Sequence, residues 1–255
     1  MHTELAGVPE ALFGFLAVLA RVAGAVAFVP LPGFRNAPEP VRAALALSLT
    51  IALAPLWPVM SGFEPSAGRF LALLASEAAL GITAGLAVSF LIESLLVAAQ
   101  VFGLQAGYSY ASTVDPSTEA DSNVLLVIAQ LMAGLLFFSM GLDREVVRAF
   151  AHSLAAHPPG TYLVTPKAAA TMIALGSNML ATGVRLALPV VVLLMLVDVA
   201  LALLGRMHQQ LQLLTLAFPA KMLATLAFLA AILILFLPAY RAAAGRTMTA
   251  LTRLL

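Results

Sequence analysis

Two apolar runs, Phe70 to Leu104 and Ala168 to Leu204, constrain this chain more than any other feature. Each holds about 35 residues, so a straight helix would reach roughly 50 Å, against a hydrocarbon core of about 30 Å. Three shapes satisfy such a run: a helical hairpin, a long tilted helix, or a helix that leaves the bilayer and is walled by other subunits. Gly81 and Gly85 are candidate kink or close-packing points in the first run. Gly176-Ser177-Asn178 and Pro189 are candidate breaks in the second.

Four shorter apolar blocks accompany them: Leu12 to Leu31, Val41 to Met60, Val124 to Leu142 and Met222 to Leu237. Each suits one crossing of about 20 residues, the second bent or ended by Pro55 and Pro58. Across 255 residues, 62% are hydrophobic and 10% charged, with mean hydropathy +1.03. A soluble domain has about 25% charged residues, and a chain this size cannot hide the excess. The reading is an all-α integral membrane protein of about six hydrophobic helical blocks. The N-terminus, MHTELAGVPE, has two acids and no arginine or lysine before the first block. That is not a cleaved signal peptide, so the first helix is expected to stay.

The connections are short. Pro32 to Pro40 and Ser61 to Arg69 read as turns. Asp143 to His157 places Val146, Val147, Phe150 and Leu154 on one stripe, an amphipathic surface helix that Pro158-Pro159-Gly160 ends. Arg206 to Lys221 is a second amphipathic stretch. The tail Tyr240 to Leu255 carries Arg241, Arg246 and Arg253 and no acid. It reads as a short helix on an anionic surface or a partner, on the cytoplasmic side.

Arg21, Glu77, Glu93, Arg185 and Asp198 lie inside membrane-like blocks. Each would cost about 2.5–3.5 kcal/mol facing lipid at a helix centre. They must face protein, water or one another, either as buried pairs and subunit contacts or as an ion pathway. Glu77 and Glu93 lie about 24 Å apart along one helix, too far for a carboxylate pair unless the run folds back. Gln100, Gln130 and Asn178 are uncharged points suited to helix–helix hydrogen bonds.

The formal charge of +1 argues against a nucleic-acid surface, and the absence of cysteine excludes disulfides, thiolate metal sites and a thiol nucleophile. No phosphate-binding GxxxxGK[ST], HExxH or GxSxG sequence occurs. The four histidines, His2, His152, His157 and His208, have no shared metal-binding spacing. The reading is not an enzyme, with no cofactor and no metal.

Between the third and fourth blocks runs GLQAGYSYASTVDPSTEADSN, Gly103 to Asn123. An irregular segment cannot face lipid, because its backbone groups would lack partners. It lies outside the bilayer as a connector, or inside a water-filled or protein-walled cavity as a pore element. Gly103 and Gly107 free the backbone, Asp115-Pro116 sets a turn, and Asp121 and Ser122 are candidate caps for the next helix. Small hydroxylated residues, Ser109, Ser112, Thr113, Ser117 and Thr118, make a hydrophilic surface with little bulk, which suits a segment that must yield when something passes.

GLQAGYSYASTVDP followed by a polar spacer and an apolar helix resembles the central signature of the flagellar biosynthetic protein FliR family. RVAGAVAFVPLPGFRNAPEPVRAALALSLTIALAP resembles that family's N-terminal pattern, with an arginine in the first helix and a proline turn. RMHQQLQLLTLAFPAKM is similar to its C-terminal signature at Arg206, Gln210, Leu211, Phe218, Pro219 and Lys221. Gln209, Gln212, Leu214 and Ala217 stand where the family usually has Pro, Asn, Phe and Gly. The virulence injectisome relatives of SctT type, with the same architecture and different cargo, are the close rival reading.

The resemblance implies a core subunit of the flagellar type III export gate in the bacterial inner membrane, at the basal body. It implies one copy assembled with FliP and FliQ subunits, near FlhA and FlhB, with unfolded flagellar proteins in transit and lipid around it. It further implies a FliP-like part over 1–165 and a FliQ-like helical hairpin with a basic tail over 166–255. The loop over about 106–123 would be the pore plug, with Gly107, Tyr108, Ser109, Tyr110, Ser112, Thr113, Asp115, Pro116, Ser117, Glu119 and Asp121 as its residues. Arg206, Gln210, Gln212, Phe218, Pro219 and Lys221 would form a subunit-contact loop. A monomeric secondary transporter using Glu77, Glu93, Arg185 and Asp198 as coupling sites is the rival from another class.

Overall fold

Leucine and alanine dominate the apolar runs, and both favour helix, so local preference and hydropathy point the same way. The computed structural model describes residues 3–29, 38–58, 66–108, 124–163, 165–207 and 213–255. Among these every regular element is helical. The order is α1 (Thr3–Phe28), α2 (Glu39–Ala52), a 3-10 turn (Ala54–Leu56), α3 (Ala67–Ala106), α4 (Val124–Ser139), α5 (Leu142–Ala156), α6 (Pro166–Met207) and α7 (Leu213–Leu254).

The two overlong runs are single helices and not hairpins. α3 has 40 residues and α6 has 42, about 60 Å each at 1.5 Å per residue. Pro189 lies within α6 without ending it. Pro166 opens that helix, where its missing N–H is not needed. Three other expectations need correction. α2 has only 14 residues before Leu53 and the 3-10 turn containing Pro55 end it, so the second block is no full crossing. α4 has 16 residues and meets α5 at 64°, so it can span only as part of a bent pair. The basic tail is not a separate surface helix. It continues α7, which bends by 67° between Pro219–Ala231 and Phe236–Leu254. Pro238 explains a break there, since it offers no N–H to the carbonyl four residues earlier. Among the described residues three helices are long and apolar enough to cross a membrane, or up to five spans if each bent pair counts as one.

The chain divides into two compact units. The first comprises 1–90, 134–176 and 246–255. Its core gathers Val18, Val22, Val26, Ala46, Leu53 and Leu154, with Leu49 and Trp57 packed against them. Here α1 and α3 touch backbone to backbone. A Cβ added at Gly85 would meet the Ala25 carbonyl oxygen at 2.5 Å, and one at Gly24 would meet that of Ala78 at 2.6 Å. At Gly81 it would collide with the Arg21 carbonyl. Gly81 and Gly85 therefore act in close packing and not as a kink, the small-residue crossing that membrane helices use. α5 lies on this unit with Val146, Phe150 and Leu154 buried and Val147 exposed.

The second unit comprises 91–133 and 177–245. Leu95, Leu96, Leu125, Leu194 and Tyr240 are among its fully buried side chains. α6 offers this unit one narrow stripe, Thr182, Leu186, Ala187, Val190 and Leu194. Gly183 on the same stripe lets α3 approach, since a Cβ there would lie 2.7 Å from the Val97 side chain. The remaining circumference of α6 is exposed and mostly aliphatic.

Candidate functional site

Two polar constellations stand in this apolar frame. In the first unit α1 carries Arg21 and α3 carries Glu77, both at zero exposure. Arg21 Nε donates to Glu77 Oε2 at 2.7 Å, and Nη2 lies 2.6 Å from the same oxygen. Nη1 donates to Ser153 Oγ at 3.1 Å, and Nη2 to the His157 carbonyl at 2.9 Å. The C-terminus of α5 thus points its carbonyl end at the guanidinium, which favours the cation. The other Glu77 oxygen accepts from the Gly160 N–H at 3.0 Å. That amide is presented by a turn with φ +79° at Gly160, a left-handed conformation that costs glycine nothing. Every nitrogen of one buried cation and both oxygens of one buried anion are engaged. A pair so satisfied escapes the penalty of lone buried charges.

The second constellation lies where α3 ends and the polar loop begins. Gly107 has φ +85°. Its N–H donates to the Leu104 carbonyl at 3.1 Å, and the Tyr108 N–H to the Gly103 carbonyl at 3.1 Å. This is a Schellman stop, in which a glycine takes the left-handed position and the helix cannot continue. One turn back, Gln105 Nε2 donates to Asp198 Oδ2 on α6 at 3.0 Å. Lys221 Nζ on α7 lies 2.9 Å from Asp198 Oδ1 and donates to Oδ2 at 3.1 Å. Tyr108 Oη donates to the Met222 carbonyl at 3.2 Å. Partial burial pushes the Tyr108 phenol up from its ordinary value, so it remains a neutral donor. The first residues of the loop are thereby tied to both α6 and α7.

Of the plug positions named from sequence, Gly107 and Tyr108 belong to this root. Ser109, Tyr110, Ser112, Thr113, Asp115, Pro116, Ser117, Glu119 and Asp121 lie outside the described residues, as do Gln210 and Gln212. Arg206 lies in the last turn of α6. Phe218, Pro219 and Lys221 are not loop residues but belong to α7. Lys221, expected to face another subunit, is 14% exposed and engaged within the chain. The five membrane-block charges also separate. Arg21 and Glu77 close on each other, and Asp198 pairs with Lys221. Glu93 is partly buried on α3, and Arg185 is exposed on α6 rather than buried.

Sequence reasoning missed Ser153, Gly160 and Gln105. For the second cluster a signal existed. If the fifth and sixth blocks form an antiparallel hairpin turning near residue 210, Asp198 and Lys221 stand about equally far from the turn. In the first unit, α1, α2, α4 and α5 also enclose an apolar cleft of about 220 Å³, lined by Val22, Val26, Leu49, Phe137 and Val146 among others. Nothing in either constellation resembles a nucleophile with its base. Both arrangements hold helices and a loop root in place.

A family model described as bacterial export proteins, family 1, matches residues 12–247. The flagellar biosynthetic protein FliR of Escherichia coli (strain K12) is 30% identical over 221 residues, 86% of this chain and 84% of that protein. FliR of Caulobacter vibrioides is 27% identical over 214 residues, 84% of this chain and 85% of the relative. FliR of Bacillus subtilis (strain 168) is 26% identical over 216 residues, 81% of each chain. Matched along nearly its whole length, the chain belongs to family 1 of the bacterial export proteins, the family of FliR.

Proposed function

We propose that this chain is a core subunit of the flagellar protein export gate, forming part of the wall and the plug of the channel through which unfolded flagellar proteins cross the bacterial inner membrane at the basal body. One observation carries the reading. Large exposed apolar side chains on α6 run from Ile173 to Met207, about 50 Å of helix. A hydrocarbon core of about 30 Å cannot cover that length. The remainder needs protein, and the family relationship makes FliP and FliQ subunits the natural neighbours. FlhA and FlhB are proposed to meet the same assembly from its cytoplasmic side, near the connection between α6 and α7. The division into a FliP-like part over 1–165 and a FliQ-like hairpin over 166–255 belongs to this proposal.

The work assigned here is mechanical. The loop leaving Tyr108 is small, hydroxylated and acidic, and its root is anchored to α6 and α7. That combination suits a plug held at its base whose body yields to a passing chain. The closed state would be favoured by only a few kcal/mol, since a much larger gap would defeat opening. Co-expression with FliP and FliQ, followed by purification on a tag carried by this chain, tests the assembly. Joint purification is expected. A monodisperse lone chain that transports a solute would refute the proposal. Deleting Ser109 to Asp121 tests the plug: the reconstituted assembly should leak ions. Unchanged permeability would remove the plug assignment and leave the assembly standing.

A further inference from the structure

We propose that the outward face of α6 around Arg185 is a docking surface for a neighbouring subunit's helix that brings a carboxylate against this guanidinium. The inference rests on the oligomeric reading above and specifies which face, and which chemistry, makes one contact.

Arg185 lies near the middle of α6 and is exposed. Among the described residues it makes no hydrogen bond or ion pair. An arginine cannot shed its proton to lower the cost. Left against lipid, it would carry the penalty of an intramembrane charge. The chain handles Arg21, the other arginine singled out within an apolar block, quite differently, spending Glu77, Ser153 and the His157 carbonyl on it. From Pro166 to Val197 α6 carries Lys167 and Arg185 and no acid. The next acid, Asp198, is already held by Lys221 and Gln105. This length of helix is therefore a cationic stripe awaiting a negative partner.

Two further features favour protein over lipid as that partner. Pro189 follows four residues after Arg185 and offers no N–H to the Arg185 carbonyl, so the same spot presents an acceptor as well as a donor. On the N-terminal side the face continues through Ser177, Asn178 and Ala181, all exposed. These small and hydrogen-bonding residues let another helix come close. On the C-terminal side Leu188 and Val192 supply apolar contact, each about half exposed.

A lipid phosphate is the competing anion. A headgroup-level arginine should have lipid-facing side chains on one side only. Here large exposed apolar residues lie on both sides, at Ile173 and at Leu203, about 18 Å and 27 Å away along the helix. A second copy meeting face to face would set arginine against arginine and repel.

The test compares wild type, Arg185→Lys and Arg185→Glu, each co-expressed with FliP and FliQ and purified on the tag. Arg185→Glu should reduce recovered complex by about tenfold or more, while Arg185→Lys retains most of it. Second-site revertants of Arg185→Glu should change an Asp or Glu in a partner's apolar helix to a basic residue. Wild-type recovery with Arg185→Glu overturns the proposal, as do revertants confined to Glu93 of this chain. Recovery that depends on anionic lipid instead of on a partner carboxylate also overturns it. Because the chain has no native cysteine, Ala181→Cys provides a probe that leaves Arg185 intact. It should cross-link to cysteines placed on the acid-bearing partner helix. An intact complex without that cross-link refutes the surface even if Arg185→Glu fails to fold. If the wild-type chain recovers no partner, the oligomeric reading fails and takes this inference with it. If wild type assembles and Arg185→Glu does too, only this inference fails.

Discussion

Removing one partner of the Arg21–Glu77 pair should cost more than an apolar double replacement allows by simple addition. Glu77→Ala leaves a fully buried guanidinium with two neutral acceptors, Ser153 Oγ and the His157 carbonyl, and orphans the Gly160 N–H. Breaking a buried pair on one side typically costs 3–5 kcal/mol, and about 4 kcal/mol is expected here. Arg21→Met should cost less, about 3 kcal/mol, because Glu77 keeps the hydrogen bond from the Gly160 N–H. In Arg21→Met/Glu77→Ala both charges leave together. What remains unmet is one carbonyl and one amide, at about 1–3 kcal/mol each before relaxation. The double variant should therefore lose about 3 kcal/mol against an additive sum of about 7, a coupling of about 4 kcal/mol. The chain supplies its own reporter. Its one tryptophan, Trp57, lies in the same unit, 5.3 Å from the Phe15 ring, with its indole N–H on the Thr50 carbonyl. Unfolding by SDS titration in mixed micelles, followed by Trp57 fluorescence, should rank wild type first, the double and Arg21→Met together next, and Glu77→Ala last. Additive losses within about 0.5 kcal/mol would refute the account of a mutually satisfied pair.

Gly81→Ala should destabilise the first unit by about 1–3 kcal/mol in the same titration, since its methyl meets the Arg21 backbone. Gly68→Ala, with nothing within 4 Å of its Cβ, should be neutral or stabilise by up to about 1 kcal/mol. Tyr240→Phe should be neutral or raise thermal stability by about 1 kcal/mol, because the buried hydroxyl has no hydrogen-bond partner among the described residues. A loss above about 1 kcal/mol would reveal a partner for it. Lys221→Glu should expose the 109–123 segment to limited proteolysis, and Asp198→Lys/Lys221→Glu should restore protection. The stability change should stay near or below about 1 kcal/mol, since Asp198 is 41% exposed.

The amphipathic stripe of α5 and its proline-glycine ending were legible because 3.6-residue periodicity and turn chemistry are local. So was the unusual length of α3 and α6, though not its resolution into single helices. Pro189 reads as a break in isolation, yet it sits on the exposed side of α6, where one missing ladder bond is tolerable. Periodicity says which residues share a face, not which helix covers it. Arg21 and Glu77 are 56 residues apart, and no spacing rule joins them. The stop at Pro55 was visible, yet hydropathy alone still counted the block as a crossing, and α2 ends before that proline at Leu53. The tail was read apart from the sixth block because its arginines end the apolar run, whereas the helix bends near Pro238 and continues. The root of the polar loop was half legible: Gly107 was visible as a glycine needing freedom, while Gln105 looked like any helical amide.

An apolar helix surface longer than the bilayer is thick also bears on how the protein is made. On the assembly proposed above, a newly inserted copy that has not met its neighbours would expose greasy flank to water or distort the lipid around it. Its lifetime in the cell would then be set by how promptly companions arrive, and synthesis in excess would yield turnover in place of idle pores.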